Sequence, residues 1–211
     1  MIGPTNANIY TPQSITLSQL TEGNIIMLNE GSIKIPYIYL GLDESGNALL
    51  LREAVYERRQ MNSSNVTDYE TSAIDTWLNN TFLTIFDANT QAALVATPIK
   101  VKNPSTGVIS EINRKCFLLS YTQLGFDNTG NEGESVLPAL KAFYDTNDDR
   151  TARLERSNRY WLRSAQSGSK YYVSNQDGDA GNDDAINNDN YIRPVLAFDP
   201  ETIIIASIYE L

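Results

Sequence analysis

The 211-residue chain contains no histidine and a single cysteine, Cys116. The missing imidazole excludes Ser-His-Asp and Cys-His catalysis and every histidine-bearing zinc site. One cysteine excludes an intramolecular disulfide. Within the apolar run Lys115-Cys116-Phe117-Leu118-Leu119 it reads as a small core residue, because a nucleophile would need an adjacent base. Basic residues are scarce too. Sixteen Lys and Arg against 26 Asp and Glu leave a net charge of −10, which disfavours nucleic acid and anionic membrane surfaces as partners. No run approaches the roughly 20 apolar residues of a membrane span, so membrane insertion is not expected. Met1 to Asn8 lacks the basic start and apolar stretch of a signal peptide, and the expectation is synthesis in a cytoplasm without export by that route. Any catalysis would have to run on carboxylates, tyrosines, lysines or arginines.

What is present is an ordinary globular composition. Hydrophobic residues make up 41% and charged residues 20%, enough for a core that needs no covalent staple. No linker, charge run or repeat divides the chain, so one domain is expected over residues 17–200. Residues 1–16 form a polar arm with Pro4 and Pro12. Residues 201–211 form a tail in which Ile203, Ile204 and Ile205 are consecutive. Such a tail is a last strand of the domain's own sheet or a strand lent to a neighbour.

Residues 24–28, 33–40 and 48–52 alternate as strands, with turn chemistry at Asp43-Glu44-Ser45-Gly46-Asn47 between the last two. The period then changes. Ile74, Trp77, Leu78 and Phe82 fall at helical spacing, with Thr71 or Ser72 as N-cap and Asp75 in the first turn. A shorter helix is expected over residues 89–95, capped by Asn89 or Thr90, and a third helical pattern runs through Leu137, Leu140, Phe143 and Tyr144. Residues 99–102 and 115–121 read as strands. Arg150, Arg153, Arg156 and Arg159 recur every third residue, which reads as a solvated face rather than an anion site.

Residues 160–198 draw the most attention. Tyr160-Trp161-Leu162-Arg163-Ser164, Tyr171-Tyr172-Val173 and Tyr191-Ile192-Arg193-Pro194-Val195-Leu196 are rigid apolar segments. Between them residues 175–190 are almost wholly Asp, Asn, Gly and Ala, a polar loop on a stiff scaffold. The candidate contact residues are Asp177, Asp179, Asn182, Asp183, Asp184, Asn188, Asp189 and Tyr191. Trp161, Arg163 and Arg193 are expected as structural braces, the two arginines clamping the base of the loop. Hard oxygen ligands in such a loop suit Ca²⁺. The EF-hand pattern fails, however, because the glycine is misplaced and no bidentate Glu follows, and Asp, Asn and Gly also simply make turns. We therefore expect a contact surface with no cofactor and no catalytic residues, Ca²⁺ remaining the open alternative.

The same segments carry a resemblance. Tyr160-Trp161-Leu162-Arg163-Ser164 and Ile192-Arg193-Pro194-Val195-Leu196 resemble the "WLRS … VRPA" signature of a family of bacterial and phage domains of unknown function. Residues 72–82 resemble its "S-x-I-x-x-W-L-N-x-x-F" helix, and Cys116 to Ser120 its "v-F-L-L-S" strand. Val195 departs mildly, standing where the family often has Ala. That family is similar to the C-type-lectin-like fold, which sugar-binding lectins, formylglycine-generating enzymes and phage receptor-binding proteins share. The formylglycine-generating enzymes need two active-site cysteines, and this chain has one.

The resemblance implies an α+β, C-type-lectin-like domain, mostly antiparallel twisted sheet with two or three short helices and long loops. The function expected is a non-enzymatic virion protein, a head fibre, capsid decoration or tail receptor-binding module that is homo-oligomeric. It would dock on other virion proteins through the arm or the C-terminal strand and contact a host-surface glycan or protein. A bacterial cell surface is the alternative location. A carboxylate-based glycan-active enzyme and a purely structural cement protein are the competing readings.

Overall fold

The computed structural model describes residues 14–126, 132–137, 140, 158–175 and 178–205. The expected helix through Phe143 and the arginine ladder up to Arg156 lie outside the described residues, as do most of the arm and the end of the tail.

The main sheet has five antiparallel strands in the order β2 (Ile25–Glu30), β3 (Ile33–Leu42), β4 (Ala48–Arg52), β11 (Val195–Phe198) and β7 (Cys116–Phe117). Its centre explains its sequence. Every residue of β4 and of β11 is buried, so both read as near-continuous apolar runs instead of alternating ones. The expected strand over residues 115–121 is strand only at Cys116–Phe117. Beyond that Leu118 donates its N–H to the Tyr69 hydroxyl at 3.1 Å, leaving the ladder for a side-chain partner.

Helix α1 (Ala73–Asn80) packs beside β7. Ser72 is the N-cap, its Oγ accepting from the Asp75 N–H at 3.1 Å. Ile74 and Leu78 are buried, while Trp77 is half-buried against Tyr56 and Phe82. Helix α2 (Ala88–Ala93) is capped by Asp87, whose carboxylate accepts from the Thr90 N–H at 2.8 Å, two to three residues before the caps expected. Asp87 offers the better acceptor, and Ala88 starts the helix behind it.

Strands β5 (Thr97–Lys102) and β6 (Ile109–Arg114) form a separate hairpin. A further three-stranded sheet runs β8 (Tyr160–Ala165), β9 (Lys170–Ser174), β10 (Ala180–Asp184), all antiparallel. Finally β1 (Ser14–Thr16) pairs with β12 (Ile203–Ile205), in register Ser14 with Ile205 and Thr16 with Ile203. The last residues of the arm and the isoleucine tail therefore give the chain its own two-stranded ribbon. The architecture is mostly antiparallel sheet with short helices, an α+β arrangement.

One apolar core joins these elements. Trp161, Tyr171, Val173, Ile192, Val195 and Leu196 are fully buried within it, so the aromatic flanks of the polar segment are core.

Candidate functional site

The polar segment expected as one long loop is in part a strand. Residues 180–184 pair with β9 in full register, Ala180 with Ser174 through Asp184 with Lys170. Asp, Asn and Gly have low strand propensity, but the edge of β9 supplies the backbone partners and an arginine satisfies the side chains. That arginine is Arg159, which lies just ahead of β8. Its Nε donates to Asn175 Oδ1 at 3.0 Å, Nη1 to Asp183 Oδ2 at 3.1 Å and Nη2 to the Asn182 carbonyl at 3.3 Å.

Asp183 is the hub of the segment. Its Oδ2 also accepts from the side-chain amides of Asn187 at 2.9 Å and Asn190 at 3.0 Å, while Oδ1 accepts from the Asp184 N–H at 2.9 Å. Burial alone would raise its pKa. The amides of Asn190 and Asn187, the Asp184 N–H and Arg159 outweigh that and hold the carboxyl below its ordinary value. Close packing backs the hub. A Cβ on Gly181 would lie 2.6 Å from Asn175 Oδ1, so only glycine lets Asn175 reach Arg159 across the strand.

The expected contact residues therefore divide. Asp183 is turned inward and saturated by protein donors. Asp184 is half-buried and registered against Lys170. Asp179, Asn182, Asn188 and Asp189 are exposed. Tyr191 is half-buried, its ring 5.0 Å beneath the exposed Arg58 guanidinium. Asp177 lies outside the described residues. Asp183 is thus committed to Arg159 and two amides. Among the described residues no three His, Cys, Asp or Glu side chains gather as a metal site.

The expected braces are all buried. Trp161 donates its indole N–H to the Arg59 carbonyl at 2.7 Å, which ties β8 to residue 59. Arg193 donates to the carbonyls of Arg52 at 3.1 Å and Glu53 at 2.8 Å, bracing the exit of β4. Arg163 donates to the carbonyls of Lys100 and Leu118, to Gln123 Oε1 and to Glu134 Oε1. It joins β8 to β5 and to Leu118, Gln123 and Glu134, and none of these bonds reaches the 175–190 segment. The clamp on that segment is Arg159. The sequence showed Arg159 only as the last member of a three-residue ladder, and its place one residue before a strand's first paired residue was the available signal.

Elsewhere, Asp75 of α1 is also engaged. Asp75 borders an open cleft of ≈ 360 Å³ with Glu70 and Lys115. Its carboxylate takes the Arg114 guanidinium at 2.7 Å. Burial raises its pKa in spite of that hydrogen bond and charge. Cys116 is fully buried, and burial first and Asp75 second push its thiol well up, far from a reactive thiolate.

Residues 45–200 match the family described as Domain of unknown function (DUF6273). The chain belongs to this family. No curated protein and no solved structure matches it. The matched region of the DUF6273 domain runs from the β3–β4 turn to the end of β11 and its following turn, so it contains α1, the Arg163 brace and the whole Arg159–Asp183 hub. Strands β1 and β12 lie outside the match. No helix among the described residues is long and apolar enough to cross a membrane.

Proposed function

We propose that this DUF6273 domain is a non-catalytic binding module of C-type-lectin-like type that presents the edge formed by β10 and residues 185–191. The observation that carries the reading is the Asp183 hub. It fixes a polar segment from within through Arg159, Asn187 and Asn190, while Asp179, Asn182, Asn188 and Asp189 stay outward. A rigid display of amide and carboxylate groups lowers the ordering cost of binding a partner rich in hydroxyl and amide groups, such as a glycan or a polar protein surface. The stacked Arg58 and Tyr191 add a flat, amphipathic contact at one end.

The wider setting we propose is a phage virion, as a head fibre, decoration or receptor-binding protein in a homo-oligomer, with a bacterial surface as the other setting. The support is the family resemblance and a chain without histidine. Docking on the assembly through the N-terminal arm fits the β1–β12 ribbon, which holds the arm's base at residues 14–16.

The test is binding of the purified chain to whole host cells and to a glycan array, with Asn188→Ala/Asp189→Ala alongside. Both residues are exposed, so folding should be unchanged while binding falls about tenfold or more. Equal binding by this variant and the parent would sink the reading. Removal of residues 1–13 leaves β1 intact and is expected to abolish incorporation into particles without loss of cell binding.

A further inference from the structure

Glu132 is a buried carboxylate with neither oxygen hydrogen-bonded, and it is 1% exposed. Arg163 and Ser164 face it from β8, and Glu134 shares its strap, residues 132–137. Lys100 of β5 fastens that strap, donating its backbone N–H to Glu134 Oε1 at 3.1 Å and its Nζ to the Gly133 carbonyl at 2.9 Å. The Arg163 guanidinium is spent on Lys100, Leu118, Gln123 and Glu134, so it acts on Glu132 through its field alone. Ser164 Oγ takes the Tyr121 N–H at 2.8 Å. Its hydroxyl lies near enough to favour a charged Glu132 but falls short of hydrogen-bond geometry on either oxygen.

Charge then decides the matter. With both glutamates ionised, two carboxylates share one buried guanidinium, and one negative charge is left over. The second oxygen of Glu134 is buried and unpartnered as well. A buried charge without donors is costly, and a single proton removes the excess. A divalent cation would overshoot to a net positive site beside Arg163.

We propose that Glu132 is a proton-operated lock: protonated, it lets the strap of residues 132–137 close on β5 and β8, and ionised, it loosens that contact. Burial pushes its pKa up to about 6, Glu134 adds to the rise, and Ser164 and Arg163 oppose it. The sign follows from linkage. A carboxyl raised in the folded state contributes stability that is complete below its ordinary pKa and lost as pH rises through about 6. The domain tightens in mild acid, the reverse of the usual behaviour of paired carboxylates.

The experiment compares the full chain with Glu132→Gln, a neutral isostere, in denaturant unfolding between about pH 7.5 and pH 5. Relative to the variant, the folding equilibrium of the parent should rise about 4-fold by pH 5.5 and about 8-fold by pH 5, given an ordinary pKa of 4.5 and a folded value of about 6. The Lys100 amide, which bonds to Glu134, should gain hydrogen-exchange protection over the same range after correction for intrinsic rates, in the parent only. A carbon-13 titration of the Glu132 carboxyl should show its midpoint near 6. Parallel pH profiles for parent and variant, or a carboxyl midpoint near the ordinary value, would overturn the proposal. So would tightening at about pH 7.5 on adding Ca²⁺ that acidification does not reproduce, since that outcome assigns the site to a metal.

Discussion

In the five-stranded sheet the cross-strand partners of β4 and β11 are Leu51 with Val195, Leu50 with Leu196 and Leu49 with Ala197, every one buried. In the three-stranded sheet those of β9 and β10 are Ser174 with Ala180, Val173 with Gly181, Tyr172 with Asn182 and Tyr171 with Asp183. The centre of the first sheet, β4 and β11, is held by apolar area removed from water on both faces. In the second, apolar burial stops at β9, and β10 is held by ladder bonds, one arginine and a saturated carboxylate. Apolar contact makes a sheet stable but blank. Polar contact makes a weaker edge whose outward groups are held in fixed positions. Strand β8 belongs to both regimes, with Trp161 in the core and Arg163 bonded inside it.

Arg163→Ala should have the largest effect. It strands Glu134 and Gln123 in the interior, and loss of one partner from a buried ion pair costs about 3–5 kcal/mol. Denaturant unfolding checks this, and Arg163→Met should recover part of the loss through packing. Next, Leu50→Ala removes apolar contact at the centre of the five-stranded sheet at a cost of about 3 kcal/mol, and that cost should not depend on salt. A strong salt dependence would blur the contrast between the sheets. Asp183→Ala removes the acceptor for Arg159, Asn187 and Asn190, a loss of about 2 kcal/mol. The loss should be local, with hydrogen exchange rising in residues 180–191 and unchanged in β4.

Asp183 also sets a pH dependence. Its folded pKa is lowered, so its contribution is present above its ordinary pKa of 3.8 and disappears as pH falls through the lower folded value. Acid unfolding of Asp183→Ala should lack that component. The smallest effect is expected from Gly181→Ala, about 1 kcal/mol, as Asn175 swings off Arg159. Together with reduced binding, it would show that the outward groups depend on the inner clamp.

The apolar sheet was the legible part of this chain. Residues 33–40 and 48–52 alternate or run apolar as strands do, and Ser72 followed by Ile74 and Leu78 marks α1 from local chemistry alone. Strand β6 was not legible, because Ile109–Arg114 has only one buried residue, Ile112, and so little hydrophobic pattern to betray it. Strand β10 was hidden for a stronger reason. Its composition is that of a turn, and what makes it a strand is Arg159, which no local window relates to Asp183. Candidate residues were found by type, Asp and Asn in a row. Whether each points outward depends on side-chain bonds across the hairpin, and Asp183 turned inward for that reason.

The ribbon of β1 and β12 has a mechanical consequence. Ser14 and Ile205 are registered partners at its outer end, and Thr16 and Ile203 close its inner end. Load entering the domain at residue 14 and leaving at residue 205 would pull an antiparallel pair apart from that outer end. The three rungs would open one after another, like a zipper, instead of resisting together in shear. A chain tethered by both ends would thus yield first at this ribbon, at low force, before tension reached the sheet that carries the display edge.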